Sequence, residues 1–262
     1  MTSLNLVLRL NAASCFGFGV TFVLGPGAVS AFLGTMPAKL LAALGVVLLL
    51  NGAHLSYASL RARPVRAEIL WFSLGDLAWW LGTLVLIAAG LWIGTATGTL
   101  VALLVALAVA CLGIAQLVHL GLMRSGLPAS EHWRRIGQSW LALPLWVRIW
   151  LFALNAAFLV APLFLPWTES RIILIAYLAS GPLLLGFAVF EGGLSRLMGV
   201  GHIVPWLPLL GWLAHWLVVA DSAVPVVAYV ATLGIMIAAC LAFDIIDIFR
   251  WVRGERGVLA TP

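Results

Sequence analysis

Long apolar runs alternate with short polar, glycine- or proline-containing breaks along the whole chain, and each run is continuous rather than apolar at every second residue. A run of about 20 apolar residues crosses a roughly 30 Å hydrocarbon core as a helix, whereas a membrane barrel needs period-two alternation. The pattern therefore predicts an all-α polytopic membrane helix bundle with about eight transmembrane helices. The first covers residues 4–24 and stops at Gly25-Pro26-Gly27, where proline removes a donor and glycine favours non-helical torsions. Residues 28–34 are too short to span and are expected at the interface. Further spans are expected over 37–60, 68–93, 100–123, 143–165, 171–190, 202–220 and 224–252, with Pro37 suited to a first helical turn. The longest polar stretch, 124–139, carries Arg124, Glu131, His132, Arg134 and Arg135. It divides the chain into a four-helix membrane unit at 1–123, a polar connector at 124–139 and a second four-helix unit with a short tail at 140–262.

Charge adds topology to this picture. Arginine-rich loops alternate with loops nearly free of basic residues, and of 14 Lys+Arg only Lys39 and Arg171 fall on the sparse side. The positive-inside rule puts the rich side, and both termini, in the cytoplasm of a bacterial cytoplasmic (inner) membrane. Trp92, Trp140, Trp146, Trp167 and Trp251 fall near expected helix ends, where tryptophan anchors at the interface. Trp79 and Trp80 are adjacent, so they face directions about 100° apart and at least one meets lipid or a neighbouring subunit.

Composition agrees: 64% of residues are hydrophobic, 9% are charged, and the mean hydropathy is +1.14. A soluble domain carries about 25% charged residues. The net charge of +5 is spread over loop ends, which excludes a nucleic-acid partner and leaves the lipid bilayer, membrane-protein partners or a second copy of the chain. Cys15, Cys111 and Cys240 lie in apolar runs without paired spacing and read as buried structural thiols. Arg9 interrupts the first run, which then continues to Leu24, so it reads as a retained helix and not a cleaved signal. No P-loop, GxSxG, HExxH or dinucleotide fingerprint occurs, no catalytic residue is assigned, and the balance leans away from an enzyme.

Leu10-Asn11-Ala12-Ala13 in the first span recurs as Leu154-Asn155-Ala156-Ala157 in the fifth, each followed by proline at the far end of its span. This is compatible with two parallel four-helix repeats, and equally with two unrelated bundles. Asn11-Ala12-Ala13-Ser14-Cys15, Gly25-Pro26-Gly27-Ala28-Val29 and Gly75-Asp76-Leu77-Ala78-Trp79 resemble a group of uncharacterised bacterial four-helix integral membrane proteins. The resemblance covers the first half only; it implies a compact up-and-down bundle and carries no function. The layout alone is also similar to DoxX-like four-helix proteins, some of which serve quinone-linked redox systems, without a diagnostic residue pattern.

Ionisable residues inside a membrane are costly and mark sites or structural glue. In the first half, Arg9, Asn11, Asn51, His54, Asp76, Gln116 and His119 fall about 6–14 Å in from the cytoplasmic ends of their helices. Asn11, Asn51, His54, Asp76, Gln116 and His119 form the candidate site. Arg148, Asn155, Glu191, His202, Asp244 and Asp247 repeat the inner-side bias in the second half, while His215 lies in the outer half and Asp221 in an outer loop. Asn155, His202, His215, Asp244 and Asp247 are the secondary candidates. Three readings stand. The layer is structural, with Asp76 paired to Arg9 or His54. It lines a water-filled vestibule open to the cytoplasm, with Asp76 binding a proton or cation and His54 and His119 titrating beside it. Or His54 and His119 supply axial ligands to a haem b. His202 and His215, about 20 Å apart on one helix, resemble the stacked histidines of dihaem cytochromes but lack a matching pair. Asp244 and Asp247 share a helix face, as in metal-dependent lipid-modifying enzymes, with a charged helix end as the plainer account. A small-molecule or ion carrier, or a subunit of a membrane complex, is the leading expectation; a haem- or quinone-linked electron-transfer subunit is the alternative.

Overall fold

The computed structural model describes residues 3–61, 64–120, 128–164, 168–219 and 224–258. Within them the chain forms α1 (Ser3–Leu24), α2 (Pro26–Leu33), α3 (Ala38–Leu60), α4 (Arg66–Ala88), α5 (Ala96–Val118), α6 (Ala129–Leu141), α7 (Leu145–Leu159), α8 (Thr168–Glu191), α9 (Gly199–Val219) and α10 (Val224–Val252). Eight helical segments are long and apolar enough to cross a membrane: all of these except α2 and α6. The protein is an all-α polytopic helix bundle. Large apolar side chains such as Leu50, Trp71, Val218 and Val224 are exposed on its helices, as contact with lipid tails requires.

Helix ends follow local chemistry. α4 stops at Ala88, short of the expected 93, because Gly90 takes φ +65° and closes a C-terminal motif in which Leu91 N–H donates to the Leu86 carbonyl at 2.9 Å. Trp92 follows at φ +63°, a strained value for a residue with a side chain. α7 stops at Leu159, before Pro162, and continues as a 3₁₀ turn over Ala161–Phe164. Pro162 has no N–H to complete the α pattern and disfavours helical torsions at the residue before it. The breaks at Pro166 and Trp167 and the loop at Asp221 lie outside the described residues.

The chain divides into two compact units, Met1–Leu122 and Met123–Pro262. In the first, α1 packs along α3 and α4 along α5, and α1 also touches α5. The short α2 lies on α3 and α5. It is pinned to the α4–α5 turn: Gly94 N–H and Thr95 N–H donate to the Leu33 carbonyl at 2.8 and 3.1 Å, and Thr35 N–H to the Trp92 carbonyl at 3.1 Å. At the opposite end an apolar cluster includes Leu4, Leu8 and Ala12 of α1, Leu55 and Ala58 of α3, Ile69 and Phe72 of α4, and Leu120. The α1 members recur every fourth residue and so share one helix face.

In the second unit α9 packs between α8 and α10, while α7 touches α8 and α10 more lightly. The described part of the polar connector is not an open loop. It forms α6, an amphipathic helix that rests on α8. Its buried His132 donates Nε2–H to the Val189 carbonyl, and Ser139 Oγ accepts from Leu194 N–H at 2.9 Å. The other face exposes Trp133, Arg134 and Trp140, the composition of a helix lying in a membrane interface. The C-terminal tail returns over the α8–α9 connection: Val258 bridges to Ser195, and Arg196 pairs with Asp247 and Glu255, both at 3.3 Å.

Candidate functional site

Asp76 lies about 15 Å along α4 from Arg66, near the middle of the helix. It is 6% exposed. Its Oδ2 accepts two hydrogen bonds at 2.8 Å, from Asn11 Nδ2 on α1 and from Gln116 Nε2 on α5. Gly113 lets α5 come this close: a Cβ there would stand 2.9 Å from Asp76 Cβ and 3.2 Å from the Ser73 carbonyl. From Asn11 the polar contacts continue to Cys15 Sγ at 3.8 Å, which in turn accepts from Asn51 Nδ2 on α3 at 3.5 Å. The sulfur contacts are weak. One polar row, Asn51–Cys15–Asn11–Asp76–Gln116, thus joins α3, α1, α4 and α5.

Four of the expected site residues therefore meet, and two do not join them. His54 turns away to Glu68, with Nε2 3.1 Å from Oε1 and its ring edge against Phe72. Its side chain is 43% exposed. Arg61 holds the other oxygen of Glu68 at 2.7 Å. His119 is the half-buried C-cap of α5. The expected pairing of Asp76 with Arg9 or His54 is not made. Asp76 is held by neutral amides, and among the described residues it has no cationic partner. Beside it, Gln116 Oε1 and Ser73 Oγ are buried without hydrogen-bond partners among the described residues.

Among the described residues, an apolar cluster and not an open vestibule stands toward the arginine-rich end of the first unit. Leu4, Leu8, Leu55, Phe72 and Leu120 belong to that cluster. Space lies on the other side of Asp76, toward α2. A cavity of about 430 Å³ begins one helical turn beyond the polar row. Phe18 and Thr21 of α1, Phe32 of α2, Leu44 of α3, Trp79 and Thr83 of α4, and Val105 of α5 are among its walls. Both threonine hydroxyls donate to carbonyls of their own helices, Thr21 to Gly17 and Thr83 to Trp79 at 2.8 Å. The wall is therefore almost wholly apolar.

In the second unit His202 and Asp244 come together, with Nδ1 and Oδ2 3.1 Å apart. Cys240 Sγ joins them, 3.4 Å from Asp244 Oδ2 and 3.9 Å from His202 Nδ1. Gly199 brings α9 against α10 here, its missing Cβ lying 3.0 Å from Asp244 Cβ. The His202 ring stacks on Trp206 at 4.2 Å, Trp206 packs on Phe158 at 4.8 Å, and Phe158 stacks on Tyr177 at 4.7 Å. The other secondary candidates stand apart. Asp247 pairs with Arg196, and His215 is exposed on α9. Asn155 is exposed, donating to the Leu151 carbonyl and accepting from Tyr177 Oη.

From the sequence Cys15 and Cys240 read as inert buried thiols, yet each touches a candidate polar residue. A usable signal was present: each lies four residues after or before a candidate polar residue, Asn11 and Asp244, and so shares its helix face.

Fold and site together define a multi-pass helical membrane protein with a buried carboxylate at mid-span. The chain matches no family model, no curated protein and no solved structure, so the resemblance of its first half adds no function.

Proposed function

We propose that this protein is a carrier for a small apolar or amphipathic molecule, with Asp76 as its proton- or cation-coupling group. One observation carries the reading: a buried carboxylate, held by neutral amides and without a counter-charge among the described residues, lies one helical turn from an apolar cavity. An unpaired charge in a low-dielectric interior is costly, and uptake of a proton or small cation removes most of that cost. The unpartnered Gln116 Oε1 and Ser73 Oγ beside Asp76 supply further oxygens for such an ion. With the arginine-rich side in the cytoplasm, the cavity lies on the outer side of Asp76 and the apolar cluster on its inner side. That arrangement has the form of one state of an alternating-access cycle. The bacterial inner membrane is the expected location, and membrane-protein partners or a homo-oligomer remain compatible with it. The haem reading has less support, because His54 Nε2 is engaged by Glu68 on an exposed face.

Binding of an apolar naphthylamine dye to purified protein in detergent, followed by fluorescence from pH 5 to 8 with and without sodium, tests the reading. Gly82 lines the cavity, and a Cβ there meets no atom within 4 Å. Gly82→Leu should therefore fill the space without a backbone clash and weaken dye binding at least about tenfold, since a lost apolar contact of 1.4 kcal/mol is a factor of ten. Asp76→Asn should bind dye and lose the dependence on pH and sodium. An unchanged affinity in Gly82→Leu would sink the cavity as the binding site. An unchanged pH and sodium profile in Asp76→Asn would sink the coupling role.

A further inference from the structure

We propose that His202 Nδ1, Cys240 Sγ and Asp244 Oδ2 form a three-ligand site for a thiophilic divalent metal of the zinc class, with a fourth position open. The three atoms converge on one point from α9 and α10. Zinc bonds of about 2.0–2.3 Å at tetrahedral angles place nitrogen and oxygen about 3.3 Å apart, sulfur and oxygen about 3.5 Å, and sulfur and nitrogen about 3.6 Å. The observed separations are 3.1, 3.4 and 3.9 Å. The triangle thus needs adjustments of only about 0.3 Å to hold the ion.

The surroundings favour an ion over a plain hydrogen-bonded triad. Gly199 sets α9 against α10 beside Asp244, and stacking on Trp206 fixes the imidazole plane. Binding replaces the thiol proton, which leaves to solvent, and imidazole binds through a neutral nitrogen. The thiolate and carboxylate then neutralise a dication inside the low-dielectric span. One thiolate, one imidazole and one carboxylate suit zinc, or cobalt as its substitute, better than magnesium or calcium, which take oxygen ligands. The His202 and Asp244 side chains are 14% and 16% exposed, which leaves an entry path and room for a fourth ligand. The site is independent of Asp76 and of the carrier reading.

The test titrates chelator-treated, full-length protein in mild detergent with Co²⁺. One equivalent should give thiolate-to-cobalt charge-transfer absorption and the visible bands of tetrahedral cobalt, both removed by Zn²⁺. Cys240→Ser should abolish the charge-transfer band, while Cys15→Ser and Cys111→Ser keep it. Asp244→Asn should weaken Co²⁺ at least about 100-fold, since even outer-shell changes cost 10–100-fold. Absence of the band in the wild type, or its survival in Cys240→Ser, overturns the site. Should a variant fail to elute as a single species, maleimide labelling of wild-type Cys240 decides, read by peptide mass. Zn²⁺ should slow it at least tenfold, and equal rates with and without Zn²⁺ overturn the proposal.

Discussion

Asn11 and Asp76 offer the sharpest energetic test of the polar row. Asn11→Ala removes the Nδ2 donor 2.8 Å from Asp76 Oδ2, at a position that is 1% exposed. A hydrogen bond to a charged group is worth about 1.5–3 kcal/mol in water-soluble proteins. Interhelical hydrogen bonds in membranes average nearer 0.6 kcal/mol and reach about 1.7, because the membrane-embedded unfolded state also finds partners. Two features put this bond at the upper end. Among the described residues Asp76 has two donors, both on other helices, so losing one removes half of these bonds. Burial also keeps water from replacing the lost amide. The expected coupling between Asn11→Ala and Asp76→Ala in a double-mutant cycle is therefore about 1.5 kcal/mol. Reversible unfolding by sodium dodecyl sulfate in mixed micelles measures it. A coupling below about 0.5 kcal/mol would show that the bond is no stronger than ordinary interhelical glue, and the reasoning about Asp76 would fail.

Three further outcomes follow from the same geometry. Gly113→Ala puts a Cβ 2.9 Å from Asp76 Cβ and should destabilise the first unit by about 1–3 kcal/mol, whereas Gly75→Ala, whose Cβ meets no atom within 4 Å, should raise stability by about 0.5–1 kcal/mol; the same unfolding assay compares them. Gly98→Ala puts a Cβ 2.7 Å from the Phe32 carbonyl and should release α2, read as faster hydrogen exchange at Gly94 and Thr95 N–H. The hydrogen bond from Arg250, with its charge, holds the Glu255 carboxyl below the usual range. Its tethering of the tail is therefore complete above the unfolded value of about 4.3 and fades as pH falls through the lower folded value, so protease cleavage around 254–258 should rise in acid and already be high in Glu255→Gln at neutral pH.

The spans were legible because each apolar run is long and its breaks carry proline, glycine or arginine. Their ends were less so. Gly90 ends α4 early through a positive φ, and the sequence does not say which of several glycines adopts one. α6 was hidden because its polar residues dominate the average, although His132 and Ser139 are buried. Of the candidate site, Asn11, Asn51, Asp76 and Gln116 were readable from depth alone. Depth could not say that His54 faces Glu68, because depth fixes height along a helix and not rotation about it. Nor could it place the cavity, which depends on how α2 folds back onto the α4–α5 turn.

The matching Leu-Asn-Ala-Ala tetrapeptides show where local likeness stops being physical likeness. Asn11 is buried and holds a carboxylate on another helix. Asn155 is exposed, and its Nδ2 donates to the Leu151 carbonyl of its own helix at 2.7 Å. Only its Oδ1 reaches across, accepting from Tyr177 Oη at 2.7 Å. The helices around them also pair differently: α1 lies along α3, while α7, which carries Asn155, makes only light contacts with α8 and α10. Asn155→Ala should thus remove one neutral interhelical bond, about 0.6 kcal/mol, less than the roughly 1.5 kcal/mol expected for the Asn11–Asp76 bond alone. Tyr177→Phe should cost about the same, because it breaks the same bond from the other side. Unfolding each variant in mixed micelles settles the comparison. Equal losses at Asn11 and Asn155 would mean that the two asparagines do the same work, and the sequence match would then mark a true duplication of the site.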